Sequence, residues 1–333
     1  MSPGRFLNVY SLFAVVFAVG YALFPPFRHW SNMSELLGDS VPLLMVATAQ
    51  LFAMLVWGID LSVGSIMNVV IVTASFTFAG PWYTLLPAMI GCVGLGAALG
   101  AINGLLISRL RLPDFVVTMA TFIGYQGIAL SIRPTPGGSV NPGLLAFVYG
   151  STLHIPNPTW IAVGLLFVFG YVRHASRLGH YMVAVGSSRE NSYLLGLPVE
   201  RVRVLAYVMS GIAAGIAGIF LMGLIGTGSA DAANPYQLDS IIATVIGGTS
   251  LYGGEGSVLG TVFGVLILEI ALKMLTYANL LGSYIQVFDG AAVLVVVALL
   301  SGIRFYGTAR REVARPLSTE PSGGAVTERP PTM

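Results

Sequence analysis

The sequence predicts an all-α membrane protein, a polytopic bundle of about ten transmembrane helices with both termini on the cytoplasmic side. Three observations predict it. Of 333 residues, 55% are hydrophobic and 9% charged, whereas soluble domains carry roughly 25% charged residues; mean hydropathy is +0.82. Apolar segments recur at about 8–24, 40–58, 61–80, 84–108, 113–131, 158–172, 203–227, 238–251, 257–277 and 284–303, and a span needs about 20 residues. With the N-terminus inside, thirteen arginines fall in inner loops and tails, and only Arg28 and Arg133 fall outside. That asymmetry obeys the positive-inside rule.

The first segment has only Arg5 before its apolar run and meets Phe24-Pro25-Pro26-Phe27 after it. No small-residue cleavage pattern follows, so it reads as a retained helix rather than a signal peptide. The second and third segments flank Gly58-Ile59-Asp60-Leu61-Ser62-Val63-Gly64-Ser65. An ionisable group in an apolar run is expensive and marks a functional position. Gly58 and Gly64 permit a helix break or close packing. Asp60 reads either as a cap for the following helix or as a contact for a solute, with the Ser62 hydroxyl beside it. Glycines recur every four residues at Gly96, Gly100 and Gly104, at Gly211 and Gly215, and at Gly260 and Gly264. These are close-approach faces, read as packing within the chain rather than a dimer seam.

The outer loop 132–157 is rich in Pro and Gly. The longest inner loop, 173–203, predicts a short amphipathic helix. Ser187 or Ser188 caps it, Glu190 sits near its positive end, Gly196 stops it after Leu195, and Pro198 prevents continuation. Taken alone it is either a lipid-surface helix or a contact for a partner, with Arg201 and Arg203 leading into the next span. Segment 238–251 is short for a span and predicts a partial helix lining a cavity. Asp239 stands just before its apolar run in a capping position. Gly247, Gly248, Gly253, Gly254 and Gly256 then read as tight turns at a helix break, or as a backbone nest for phosphate. Glu269 and Lys273 are four apart on one helix, where either a pair between them or exposure at the interface is expected. Asn103, Gln126, Asn234 and Gln237 are amides that can line a polar pathway or join helices. Residues 1–306 form the expected membrane domain, and 307–333 a disordered cytoplasmic tail.

Several chemistries are excluded. Lys273 is the only lysine and lies in Ala271-Leu272-Lys273-Met274, so no Gly-Lys-Ser/Thr nucleotide loop exists. Cys92 is alone, which excludes an internal disulfide and a cysteine-metal cluster. No His-Glu-x-x-His or Gly-x-Ser-x-Gly pattern occurs. No catalytic, metal or cofactor residue and no nucleic-acid partner are expected. A stand-alone secondary transporter or channel for a small polar solute is the rival reading. It would use a coupling acid or paired broken helices, of which Asp60 and the 247–256 glycines are a faint version.

Four blocks carry a family resemblance: Gly58 to Ser65; Asn103-Gly104-Leu105-Leu106-Ile107 with 112–121; Gly186 to Arg203 with 207–211; and Leu238 to Thr261. In this order they resemble the permease subunit of bacterial carbohydrate ABC importers, of the ribose-type branch. The resemblance implies a type II ABC importer-like fold in the bacterial inner membrane. It implies a second permease subunit, identical or homologous. ATP and Mg would be handled by separate cytoplasmic ATP-binding subunits, and sugar delivered by a periplasmic sugar-binding protein. Residues 187–203 match the family's coupling helix, which docks on the ATPase. Ser187, Ser188, Arg189, Glu190, Asn191, Ser192, Leu195, Gly196 and Arg201 are its expected coupling residues. Three departures stand out. Trp57 replaces a common Gly, Asn191 and Ser192 replace paired alanines, and Gln126-Gly127 replaces Arg-Gly.

Overall fold

The computed structural model describes residues 3–279 together with Val287, Gly290 and Ala291. Apart from those three, the expected segment 284–303 lies outside the described residues, as does the tail from 307. The order is α1 (Pro3–Leu23), a 3₁₀ turn at Pro25–Arg28, α2 (Trp30–Leu55), α3 (Val63–Thr77), α4 (Trp82–Arg109) and α5 (Asp114–Ile132). Then come α6 (Pro142–Val148), β1 (Ser151–Thr152), β2 (Ile155–Pro156), α7 (Asn157–His174), α8 (Arg177–Ser187) and α9 (Arg189–Leu194). α10 (Val199–Ile225), α11 (Tyr236–Ile246) and α12 (Val258–Tyr277) complete it. Among the described residues, five helices are long and apolar enough to cross a membrane: α2, α4, α5, α10 and α12. α7 and α8 together make a sixth candidate, bent by 61° between them. α3, α11 and Val9–Leu23 are shorter apolar helices.

α2 is the axis of the fold. It is buried continuously from Ser40 to Leu55, and α3 is nearly as enclosed. α10 packs across α2, α3 and α4. A Cβ at Gly100 would strike the Tyr207 carbonyl, and one at Gly211 the Gly96 carbonyl. A Cβ at Gly264 would strike the Ala243 carbonyl in the same way. The glycine faces therefore join α4 to α10 and α12 to α11 within the chain, the arrangement small-residue spacing favours in lipid.

Three segments differ from expectation. The 132–157 loop contains α6, capped by the Asn141 side chain, and a hairpin. Leu153 and His154 at the hairpin turn both have positive φ, 54° and 62°, the geometry a two-residue turn needs to match strand twist. The first half of the 173–203 loop is helical. The Ser176 hydroxyl caps α8 by accepting the Gly179 N–H, a local signal overlooked beside the stronger one at Ser188. Finally, Lys273 pairs with Asp39 of α2 at 2.8 Å, not with Glu269. A neighbouring helix brings that carboxylate directly to the ammonium, which outcompetes the four-residue spacing along α12.

Candidate functional site

The backbone between α2 and α3 is broken over residues 56–62. Asp60 lies in that break and is fully buried. One carboxylate oxygen accepts the Ser62 N–H (3.0 Å) and hydroxyl (2.6 Å), and the other accepts the Ser210 hydroxyl of α10 (2.8 Å). Asn103 of α4 donates to the Ser62 hydroxyl at 2.7 Å. Tyr125 of α5 donates to the Leu99 carbonyl at 3.0 Å and lies 3.3 Å from the Asn103 carbonyl oxygen. A buried carboxylate is tolerable because its acceptors are occupied. Ser62 is the residue before α3, so Asp60 binds the chain at the helix start without being its N-cap. It also ties the break to α10. The close approach at Gly64 is to the Ala233 carbonyl, 3.0 Å from a built Cβ.

A second polar cluster lies deeper along α3. Asn68, fully buried, donates to the Gln126 side-chain carbonyl (2.9 Å) and to that of Asn234 (2.8 Å). Its own carbonyl accepts the Ala233 N–H at 2.9 Å. Gln126 donates to the Ala230 carbonyl (3.0 Å) and the Asp231 carboxylate (2.7 Å), and Asn234 donates to the same carboxylate at 3.2 Å. Asp231 and Asn234 are exposed and Gln126 is half-buried. The structure thus brings Gln126 and Asn234 together and adds Asn68 and Asp231, which the sequence reading missed. Asn68 had a signal: it is the one amide in the apolar run of α3. Asp231 had none beyond its charge. Asn103 belongs to the Asp60 cluster instead.

The third feature is a joint at the same end of α2, where the break begins. Trp57 holds φ 63°, a region that disfavours side chains. Its ring stacks under the Arg189 guanidinium, 5.4 Å from the centroid. Arg189 opens α9 and lies 4.0 Å from Asp114, the first residue of α5. Asp114 also accepts from Arg203 (2.5 Å) and Tyr207 (3.0 Å) of α10. Thr118 of α5 donates to the Ile59 carbonyl at 3.0 Å. Burial, with Arg203 beside it, pulls the Arg189 guanidinium below its ordinary value, and Asp114 acts against that pull. The glycine loop after α11 closes the joint: the Gly254 N–H donates to the Leu55 carbonyl at 3.1 Å, and a Cβ at Gly254 would strike Ser187.

α9 is short and projects its apolar residues. The Ser188 hydroxyl caps it by accepting the Asn191 N–H at 3.2 Å, while Ser187 ends α8. Leu194 and Leu195 are 81% and 77% exposed. Gly196 follows at φ 73°, the left-handed helix stop that glycine supplies. Ser192 is buried, Glu190 and Asn191 are exposed, and Arg201 lies exposed in the first turn of α10. The Tyr193 hydroxyl donates to Glu200, and that bond raises the phenol above its ordinary value.

The remaining expected residues lie around α11 and the loop after it. Asp239 sits in the first turn of α11 with Pro235 at the cap, where its charge complements the helix end. Gly248, Gly253 and Gly254 have φ of 88°, 77° and 73° and form tight turns. Gly247 is in ordinary helical backbone and serves close packing on Gly260. Gln237 packs beside Gly64. Among the described residues no group of three His, Cys, Asp or Glu side chains is placed to hold a metal.

The family described as "Branched-chain amino acid transport system / permease component" matches residues 32–298. The ribose import permease protein of Escherichia coli (strain K12) is 32% identical over 296 residues, 86% of this chain and 90% of that protein. The fructose import permease protein of Rhizobium meliloti is 32% identical over 307 residues, 89% of this chain and 84% of that protein. The D-allose transport system permease protein of Escherichia coli (strain K12) is 30% identical over 297 residues, 88% and 90% of the two chains. No solved structure gives a significant match.

Proposed function

This chain belongs to the branched-chain amino acid transport system / permease component family, and from that membership we propose that it is the permease subunit of an ATP-driven importer for a small carbohydrate. The observation that carries the reading is the similarity, along most of the chain, to permeases named for ribose, fructose and allose. The Asn68–Gln126–Asn234–Asp231 cluster supports a sugar over an amino acid. Amides both donate and accept, as hydroxyls require, and the cluster contains no basic side chain to meet a carboxylate. Weak polar binding suits a pathway, because a tight site would hinder release.

In this reading ten helices cross the bacterial inner membrane with both termini inside. The exposed side of α5 and the 226–235 segment faces a second permease subunit across the pathway. ATP and Mg belong to separate ATP-binding subunits, and a periplasmic binding protein delivers the solute. α9 receives the motion of the ATPase through Leu194 and Leu195. Arg189 passes it to Asp114 and Trp57, and so to the α2–α3 break that holds Asp60. A rigid helix against a two-state joint is a known route for such transmission.

The test is uptake of labelled ribose, fructose and allose into vesicles holding the chain with its ATPase and binding protein. Uptake should require ATP. Equal uptake by this polypeptide alone in ATP-free vesicles would refute the importer reading.

A further inference from the structure

We propose that the cytoplasmic ends of α4 and α10 form a binding site for an anionic phospholipid headgroup. The placement in the inner leaflet rests on the orientation given above. A cavity of about 580 Å³ lies between the two helix ends. Arg109, Arg111 and Arg201 line it, and all three are exposed. Among the described residues none of them makes an ion pair with a carboxylate. The one acid in the lining, Glu200, accepts the Tyr193 hydroxyl of α9. Three cations therefore face one carboxylate that is already engaged.

Two further observations point to a ligand. Ser108 lines the same cavity, is 5% exposed, and its hydroxyl has no hydrogen-bond partner. A serine in a helix ordinarily returns its hydroxyl to the carbonyl four residues back. Ser108 is the one unpartnered hydroxyl in this lining. Leu105 and Leu205 also line the cavity, and each is 44% exposed. Each lies four residues deeper than an arginine, Arg109 and Arg201 respectively, which is about 6 Å along a helix. Charge at the surface and exposed apolar area one turn deeper match a phosphate with its acyl chain. Basic pockets between helices on the cytoplasmic side take such headgroups. The leucines at apolar depth disfavour a free phosphate or a water-soluble protein as the occupant.

The site touches the coupling region. Glu200 holds Tyr193 and Arg201 follows it, so a bound headgroup would bear on the root of α9.

The test uses the full-length chain purified in neutral detergent and native mass spectrometry. The probes are phosphatidylglycerol, phosphatidylcholine of the same acyl chains, and inorganic phosphate as competitor. Phosphatidylglycerol should bind at least tenfold tighter than phosphatidylcholine and persist against millimolar phosphate. Each arginine near a membrane surface changes affinity about five-fold. R109Q/R111Q should thus weaken phosphatidylglycerol about 25-fold while leaving phosphatidylcholine unchanged. E200Q should tighten phosphatidylglycerol several-fold, and it serves if the double variant fails to fold. Equal binding of the two lipids, an unchanged affinity in R109Q/R111Q, or displacement by phosphate alone would each overturn the proposal. So would loss of the lipid on adding the ATPase subunit, which would assign the arginines to that partner. No arm uses sugar or ATP, so failure of the transport reading and failure of this one are separately visible.

Discussion

Removing the Asp114 carboxylate should dismantle the joint where α5, α9 and α10 meet. Its pair with Arg203 is 2.5 Å long, and the two side chains are 11% and 9% exposed. Stripping one partner from a buried pair costs about 3–5 kcal/mol, because the other charge stays behind. The Tyr207 hydroxyl loses its acceptor as well, worth about 1 kcal/mol. Arg189 is farther away at 4.0 Å and 33% exposed, so its share is under about 1 kcal/mol. Asp114→Ala should therefore destabilise by about 5 kcal/mol, and Arg189→Ala by under about 1 kcal/mol. The assay is unfolding by SDS titration of the purified chain, with Arg203→Met completing a double-mutant cycle. The double variant should recover about 3 kcal/mol of the sum of the singles, since no charge is stranded. Additive singles, or an Asp114→Ala chain as stable as wild type, would refute the buried-pair account. Arg189→Ala carries the opposite signature. It should unfold nearly as wild type yet leave ATP hydrolysis by the assembled importer unlinked to uptake.

Gly196→Val should also uncouple hydrolysis from uptake. A β-branched residue at φ 73° is strained by about 1–2 kcal/mol, and wild-type uptake would remove α9 from the coupling route. Gly100→Val should destabilise by about 3 kcal/mol, because the new methyls meet the backbone of α10 rather than a yielding side chain; SDS titration reads it. Asn68→Leu should abolish sugar uptake while the purified chain remains monodisperse, since Gln126 and Asn234 lose their common donor. Unchanged uptake would move the pathway elsewhere. The Tyr193 phenol, raised by its bond to Glu200, is held neutral by the fold. Its contribution to stability is complete below the ordinary tyrosine value and is lost as pH rises through the raised one. The wild-type minus Tyr193→Phe absorbance at 295 nm should accordingly rise later than free tyrosine does.

Helical character and the apolar segments within the described residues were legible because periodicity and composition point one way. Gly196 and Ser188 were legible because capping and left-handed backbone are local chemistry. The Asp60 environment was half legible. The sequence places Ser62 beside it, but Ser210 is 150 positions away and only the packing of α10 on the break brings it there. The cluster of Asn68 and Asp231 was not legible for the same reason: polar groups spread over three segments have no spacing to read, although Asn68 stands out as the one amide of α3. The Glu269–Lys273 expectation failed because a four-residue spacing competes with whatever a neighbouring helix presents, and here α2 presents Asp39.

The glycine seam between α4 and α10 has a mechanical consequence. At Gly96, Gly100, Gly211 and Gly215 the two backbones meet with no side-chain layer between them. Sliding one helix along the other would drive carbonyl oxygens into α-carbons, so the pair behaves as a single stiff beam. α5 is held differently, by the side chains of Asp114, Thr118, Tyr125 and Gln126. Hydrogen bonds of that kind exchange partners without backbone collision. Relative sliding is therefore blocked between α4 and α10 and left to the side-chain contacts of α5 with the beam.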